Sequence, residues 1–366
     1  MKLPTILLLL LSIASCSTKK EHSTALTKVE SEPVRVVEKI IIDLDSLSLP
    51  SYHKMNGVYE GDNQLLYYAF NNRSGLIDYF DLKNRTISHI AIQETEKNNI
   101  QDIMHIYPVS PDSLFVFYFR GFCLIDSEGK ILEKHLPEVS VGENSGWLYA
   151  GVEAKPYYSR ATSDLYCSIV YDNWDAHWNL PIAVRYNIQS KEVELLPLYL
   201  ENEYKSRYNE LGYANAVQLV FGQEAATYNY NFSPLVYRFD YRNKARENYY
   251  KKESMIPSGF VFSGNGDEEK MRNYITNPLY NPPMMWGDDG ALIQLCWSSG
   301  KESVDDKPLV LTRYDLNKHS YTEQVIDNTY MLNSEFGVKD GLLLIRYDRN
   351  NPDEKLSEQI EFHIIR

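Results

Sequence analysis

The sequence lacks the linear motifs of the common enzyme classes. It contains no GxSxG nucleophile elbow, no HExxH zinc motif, no Walker loop and no GxGxxG between a strand and a helix. Its eight histidines are scattered, and no two stand at the spacing of a metal-ligand pair. We therefore predict no catalytic residue, no metal site and no cofactor from motifs.

Cysteine is scarce. Cys123, Cys167 and Cys296 each lie in an apolar run, far from one another and without CxxC spacing. Neither a zinc site nor a disulfide framework is indicated by such a pattern. We expect these three residues to be buried free thiols.

Basic residues are too few to balance the acidic ones. Without its first fifteen residues the chain carries 36 Lys and Arg against 50 Asp and Glu. A chain this acidic has no general attraction to phosphate backbones or anionic lipid headgroups. Nucleic acid is therefore not expected as a partner.

The long apolar run is confined to the first sixteen residues. Lys2 precedes eleven apolar or small residues, Leu3 to Ile13, and Ala14-Ser15-Cys16 follows. The run is shorter than the roughly 20 residues that cross a bilayer as a helix, so it reads as a signal peptide of residues 1–15. Its end resembles the lipobox of bacterial lipoproteins, which predicts lipidation of Cys16 with chains such as palmitate. The alternative is an ordinary secretory signal in which Cys16 has no role.

Lipidation would make the lipid bilayer the first partner of the mature protein. Several acyl chains exceed the two-signal threshold for stable anchoring, because each buried CH₂ contributes about 0.8 kcal/mol. Residues 16–35 are mostly Ser, Thr, Lys and Glu, which predicts a flexible tether. We expect a cell-envelope protein that faces the periplasm, with the cell surface as the alternative.

Tyrosine is abundant, with 29 residues against 13 Phe and 5 Trp. Tyrosine favours strands, which indicates an all-β fold. Polar turns led by an Asp or Asn recur between apolar runs, as expected of hairpins in which that side chain accepts from the turn backbone. These turn residues are Asp81, Asp126, Asn187, Asp240 and Asp315.

The spacing of these turns, 45, 61, 53 and 75 residues, is near the size of a four-stranded propeller blade with its loops. We predict a six-bladed β-propeller over residues 36–366. Its last blade lacks an outer strand, and the β-branched run of residues 36–44 is expected to fill that place and close the ring. A pair of two-sheet sandwiches is the alternative.

With its lipobox and strand pattern, the chain resembles the six-bladed propeller lipoproteins of gut-type Gram-negative bacteria, many of them known only as domains of unknown function. This resemblance covers the whole mature chain. It implies a propeller fold and a localisation in the cell envelope, and it implies no active-site residues.

The richest candidate surface is the loop of residues 171–179. Trp faces stack on ligand rings while acids bond hydroxyl groups, so this loop suits glycan or peptide recognition. Its candidate ligand-binding residues are Asp172, Trp174, Asp175, His177 and Trp178. A turn whose tryptophans cap the sheet is the alternative. A calcium loop is also conceivable, but its invariant Gly and distal Glu are missing.

Two further places supply candidate ligand-binding residues. The insertion of residues 256–290 is stiffened by prolines and contributes Trp286 and Asp288. Arg120 follows an apolar strand, where its side chain either enters a central pore or ends the strand in water.

These observations support three hypotheses. The first is a lipid-anchored propeller that binds a glycan, a peptide or an envelope protein without catalysis. The second is a glycan hydrolase or lyase whose carboxylates converge from different blades and leave no linear motif. The third is a structural component of the envelope.

Overall fold

The fold is almost entirely β. A computed structural model of the chain describes residues 22–52, 55–61, 63–93, 100, 102–201, 217–256, 264, 266–286, 291–300, 307–326, 329–330, 335–346 and 358–366; for His22, Trp174, Met285 and Trp286 it describes the backbone alone. The α-helix of the described residues is α1 (Asp267–Thr276), and a 3₁₀ helix spans Trp174–Trp178. None of the helices described is long and apolar enough to span a membrane.

The strands are short, as expected of sheets joined by tight turns. They are β1 (His22–Lys28), β2 (Val36–Asp43), β3 (Asn56–Gly61), β4 (Gln64–Asn71), β5 (Leu76–Asp81), β6 (Thr86–Ile90), β7 (His105–Ser110), β8 (Ser113–Tyr118), β9 (Gly121–Asp126), β10 (Ile131–His135), β11 (Glu138–Val141), β12 (Asn144–Tyr149), β13 (Ala154–Lys155), β14 (Tyr157–Ser159), β15 (Asp164–Tyr171), β16 (Ala183–Asn187), β17 (Val193–Leu196), β18 (Val217–Phe221), β19 (Ala225–Tyr230), β20 (Val236–Asp240), β21 (Arg246–Lys251), β22 (Leu279–Tyr280), β23 (Met284–Trp286), β24 (Ala291–Trp297), β25 (Leu309–Asp315), β26 (Ser320–Ile326), β27 (Phe336–Val338), β28 (Gly341–Ile345) and β29 (Gln359–Ile365).

In the part of the chain described, consecutive strands form six groups in which the main pairings are antiparallel. The first is β3–β6, the second β7–β10, the third β11, β12 and β14–β17, the fourth β13 and β18–β21, the fifth β22–β26, and the sixth β27–β29 with β2. β1 joins the fourth and fifth groups into one eleven-stranded sheet.

The turns within the groups use the side chains that the sequence indicated. Asp81 Oδ1 accepts from the Asn84 N–H at 2.9 Å, and Asp240 Oδ1 accepts from the Arg242 N–H at 2.9 Å. Asp126, Asn187 and Asp315 bond their turns in the same way. These contacts fix where each hairpin reverses, because a short polar side chain replaces a backbone partner.

Hydrophobic clusters lie between neighbouring groups. Phe117 and Leu165 share the cluster between the second and third groups, and Leu295 and Leu344 share that between the fifth and sixth. Further clusters lie between the first and second, the third and fourth, and the fourth and fifth groups. One more joins the sixth group to the first, so each group packs on the next around a closed circuit. Such an arrangement is that of a β-propeller, which agrees with the predicted fold class.

The closing strand lies where the sequence placed it. β2 pairs antiparallel with β29, and Ile40 lies opposite Phe362. Ile40 and Ile42 are buried in the cluster that joins the sixth group to the first. The prediction that the N-terminal strand completes the last group is therefore confirmed.

The structure differs from the predicted tether at residues 22–28, which form β1. This strand runs parallel to β21 and β26, and Leu26 is fully buried against Val236 and Tyr249. A single buried leucine and backbone pairing on both sides order a segment whose composition alone offers little to bury.

The cysteines agree with the prediction. Cys123, Cys167 and Cys296 are buried free thiols. Burial raises the pKa of the Cys296 thiol to about 12, so it stays protonated.

Candidate functional site

Arg120 lies on an exposed part of the molecule and is held in place on two sides. It occupies the turn between β8 and β9 with φ 68°, in the left-handed region that is uncommon for residues other than glycine. Its Nη2 lies 2.8 Å from Asp172 Oδ1, and its guanidinium carbon is 5.1 Å from the ring centroid of Trp147. The cation is therefore both paired and stacked.

Asp172 is positioned by the end of β15. Its backbone N–H donates to the Ser145 carbonyl at 2.9 Å, and its Oδ2 accepts from Ser145 Oγ at 2.8 Å. Since β12 pairs with β15 at this end, Ser145 and Trp147 come from the neighbouring strand. The carboxylate is thus fixed before it meets Arg120.

Phe119 completes an exposed aromatic patch. Its ring lies 5.2 Å from that of Trp147 in an edge contact, and 51% of the residue is exposed. We call Phe119, Arg120, Trp147 and Asp172 the Arg120 cluster. It combines an apolar surface with an ion pair in which both side chains remain accessible to solvent.

The loop after Asp172 folds into the 3₁₀ helix. Asn173 caps this helix through its Oδ1, which accepts from the Asp175 N–H at 3.1 Å. Asp175 is exposed, but His177 is buried and its Nε2 accepts from the Tyr171 N–H at 3.3 Å. Trp178 is half-buried and packs on the cluster between the third and fourth groups. His177 and Trp178 therefore anchor the loop to the fold.

The remaining predicted residues are placed in part or not at all. The structure describes Trp174 in the 3₁₀ helix and Trp286 in β23 by their backbones. Asp288 and Cys16 lie outside the described residues. Of the predicted set, Arg120 and Asp172 are thus brought into direct contact.

A second candidate site is the channel, a cavity of about 660 Å³ lined by inner strands of all six groups. Its lining includes Asn56 of β3, His105 of β7, Tyr157 of β14, Val220 of β18, Met284 of β23 and Phe336 of β27, together with Lys155 of β13. Gly57 allows β3 to approach β7, because a Cβ there would lie 2.5 Å from the Ile106 carbonyl oxygen.

Among the residues described, Lys155 is one of three charged residues in the channel lining, with Glu224 and Arg238. Its Nζ donates to the Glu335 carbonyl oxygen at 3.0 Å and lies 5.0 Å from the centroid of the Phe336 ring. Removal from water lowers the pKa of Lys155, and the negative charge of Glu335 opposes that shift. Glu335 is fully buried, and its Oε1 accepts from Asn281 Nδ2 at 3.3 Å.

His105 stands beside this lysine. It is 5% exposed, and burial together with the Lys155 charge lowers its pKa to about 3. The imidazole is therefore neutral at physiological pH. Its Nδ1 is buried and finds no hydrogen-bond partner among the residues described.

The positions of His105 and Lys155 in the channel could have been inferred from the strand pattern of the sequence. The apolar runs of residues 102–109 and 147–154 are candidates for innermost strands, and inner strands of a propeller face its axis. His105 lies in the first of these runs, and Lys155 follows the second. Phe119 and Trp147 gave no signal, because their contact joins different sheets.

Metal binding has no support in the part of the chain that the structure describes. There, no group of three or more His, Cys, Asp and Glu side chains is arranged to hold an ion. The two candidate sites offer hydrogen bonds, charge and apolar surface instead.

Solved structures resemble this fold along almost its whole length. A member of the DUF4221 family from Bacteroides vulgatus is 15% identical, with a TM-score of 0.70, and the match covers 91% of this chain and 98% of that one. A protein from Bacteroides fragilis named as an exported protein is 11% identical, with a TM-score of 0.54 and coverage of 94% and 99%. At these identities the likeness is one of fold.

Among curated proteins, no sequence matches this chain. The family model described as a domain of unknown function, DUF4221, matches residues 33–258, which is more than half of the sequence. The chain therefore belongs to the DUF4221 family.

Proposed function

We propose that this protein is a lipid-anchored, extracytoplasmic propeller that binds a partner protein through the Arg120 cluster. The observation that carries the proposal is the exposed contact between Phe119 and Trp147, flanked by the Arg120–Asp172 ion pair. Aromatic residues and arginine are the residue types that dominate binding energy at protein interfaces.

The geometry of the cluster favours a protein over a free ion. Asp172 already neutralises the Arg120 guanidinium, so the pair offers directed hydrogen bonds without a strong net charge. The Phe119 and Trp147 rings pack against each other, so less side-chain entropy is lost on association than for unpacked side chains. A partner with an apolar residue ringed by polar groups would match this surface.

The scaffold in this proposal is a ring of six blades. Each of the six strand groups would be one blade, with β2 as the outer strand of the last. A closed ring has few free edges and presents its loops rigidly, as a binding surface requires.

The proposed localisation rests on the lipobox-like sequence that ends at Cys16 and on the similar structure from Bacteroides fragilis that is named as an exported protein. Metabolic labelling with an alkyne palmitate, followed by detection on the purified protein, would test it. Label on the native chain and none on Cys16→Ser is the expected result, whereas equal labelling would contradict lipidation at this residue.

Photo-crosslinking in cells that express the protein naturally would test partner binding. A photoreactive amino acid at position 119 is expected to capture one discrete protein species. Position 325 is the matched control, because Val325 is 56% exposed on β26. In the position-119 protein, Trp147→Ala should reduce the captured species about tenfold, as for an interface anchor.

Two outcomes would contradict the proposal. One is the same pattern of crosslinks from positions 119 and 325, which would indicate nonspecific proximity. The other is capture that persists unchanged with Trp147→Ala while the variant keeps its unfolding midpoint.

A glycan hydrolase would need two carboxyl groups about 5 to 9.5 Å apart in a cleft. Glu224 is the carboxylate that the described residues contribute to the channel lining, and its Oε1 lies 3.0 Å from Arg242 Nη2. No feature of these described residues favours catalysis over binding.

A further inference from the structure

We propose that the channel contains a binding site for a small organic monocarboxylate, with Lys155 as the residue that bonds the carboxylate group. This site is separate from the Arg120 cluster and does not depend on the proposed partner binding. The inference rests on the contacts of Lys155, on His105 beside it, on the buried charge of Glu335 and on the shape of the cavity.

Lys155 carries a charge that its contacts do not neutralise directly. Within the described structure its Nζ contacts the Glu335 carbonyl oxygen at 3.0 Å and Met284 Sδ at 3.6 Å, neither of which is ionised. An ammonium has three donors, so a further one is available to a ligand. A carboxylate would supply the strongest partner, since a charge-assisted hydrogen bond is about twice as strong as a neutral one.

His105 adds a second polar group to the same lining. Its Nδ1 is buried and without a hydrogen-bond partner among the described residues, so a ligand that bonds this atom would satisfy a buried polar group. A bound ligand that reorients the imidazole would use this capacity. Because the ring is neutral, it adds a hydrogen bond and no second positive charge.

Glu335 limits the charge of the ligand. Its buried carboxylate is close enough to Lys155 to affect that residue's pKa, so an anion bound at Lys155 would feel repulsion from it. Attraction to Lys155 and repulsion from Glu335 both grow in proportion to the charge of the ligand, whereas the cost of removing the ligand from water grows with the square of that charge. The site should therefore prefer a monocarboxylate to a dianion such as sulfate.

The walls of the channel suit the body of an organic acid. Val58, Val220, Met284 and Phe336 supply apolar surface, and Tyr157 adds an aromatic ring. The volume of about 660 Å³ lies within the usual range of small-molecule sites. Burying these side chains against a ligand would add to the bond at the carboxylate.

Calorimetric titration of the purified full-length protein in mild detergent would test this inference. The probes are 3-phenylpropanoate, the neutral 3-phenylpropanamide, acetate and inorganic sulfate, at about pH 6, where the lysine of lowered pKa stays protonated and sulfate is a dianion. We expect 3-phenylpropanoate to bind at least about tenfold more tightly than its amide. Acetate should compete with it, and sulfate should compete more weakly.

Two variants and one control define the role of Lys155. Lys155→Met should weaken 3-phenylpropanoate binding about tenfold to a hundredfold, which is the loss of one charged hydrogen bond. Glu335→Gln should strengthen it about threefold or more, because a like charge is removed. Lys191→Met is the control, since Lys191 pairs with Glu133 on the surface, and it should bind as the native protein does.

The opposite sign of the two effects separates binding from folding, because a misfolded variant would not bind more tightly. Equal affinity for acid and amide, unchanged binding by Lys155→Met, or tighter binding of sulfate than of 3-phenylpropanoate would each overturn the proposal. So would the absence of measurable binding of either carboxylate by the native protein up to about 10 mM, the weak end of specific affinity.

Discussion

Two strands from the same N-terminal segment attach to the molecule in different ways. β2 pairs antiparallel with β29 along its whole length and buries Ile40 and Ile42. β1 runs parallel to β21 and then to β26, and Leu26 is its fully buried residue. Parallel pairing is slightly weaker per residue. The first attachment is therefore mainly apolar, and the second needs another source of stability.

A buried ion pair supplies that source beside β1. Lys251 of β21 and Glu323 of β26 lie 2.6 Å apart with side chains 1% and 0% exposed. Glu323 also accepts from Ser254 Oγ at 2.7 Å and from the Met255 N–H at 2.7 Å, and Lys28 of β1 lies 3.8 Å away. Burial raises the pKa of Glu323, but these partners outweigh it and lower the pKa overall.

The two N-terminal strands are thus held by two different kinds of contact. At β2, apolar burial and a full backbone ladder act over many residues, so a single change removes a fraction of the stability. At β1, the Glu323 carboxylate of the fifth group contacts Lys251 of the fourth group and lies near Lys28 of β1. Its loss leaves a buried ammonium without its partner.

Glu323→Ala should have the largest effect on stability. We expect the free energy of unfolding to fall by about 3–5 kcal/mol, as is usual when one partner of a buried pair is removed. Urea unfolding followed by circular dichroism would measure it. The double replacement Lys251→Met with Glu323→Met should recover much of the loss, because no buried charge remains unpaired. A loss below about 1 kcal/mol for Glu323→Ala would show that charge does not hold this junction.

Ile42→Ala should have the next largest effect. The residue is 1% exposed between the sixth and first groups, and truncation of a buried isoleucine costs about 2–4 kcal/mol. Val37→Ala on the same strand is the matched control, because Val37 is 43% exposed and should change stability by less than about 0.5 kcal/mol. Equal effects of the two substitutions would mean that β2 does not close an apolar junction.

The sequence predicted the features that depend on local chemistry. The strand at residues 36–44 was evident because β-branched residues favour strands, and the missing outer strand of the last group gave it a place. The turns at Asp81 and Asp240 were evident because a short acid bonds its own turn. The buried cysteines followed from their apolar neighbours.

Features that depend on distant partners were not predictable in the same way. β1 is ordered because Leu26 meets Val236 and Tyr249, which lie more than two hundred residues away in the chain. The contact of Arg120 with Asp172 joins two strand groups, so both residues were selected but their pairing was not. His177 looked like a surface ligand, and its burial depends on the fold of the 3₁₀ helix.

His89 offers a smaller and pH-dependent test of the β2 junction. Its Nδ1 lies 2.8 Å from Asp78 Oδ1, and its Nε2 lies 2.8 Å from Asp45 Oδ2, in the segment that follows β2. Partial burial lowers the pKa of His89, but hydrogen bonds to Asp45 and Asp78 raise it above its ordinary 6.5. Burial raises the pKa of Asp45, and its bonds to His89, Ser48 and Leu47 lower it to about 2.

These directions fix the pH range in which the contact stabilises the fold. The His89 contribution is complete below about pH 6.5 and is lost as pH rises through the raised pKa. The Asp45 contribution is complete above about pH 4 and is lost as pH falls toward 2. His89→Gln should therefore cost about 1 kcal/mol near pH 5.5 and less near pH 8.5, since Asp45 is half exposed. Urea midpoints at these two pH values would measure it, and a loss independent of pH would assign His89 a packing role instead.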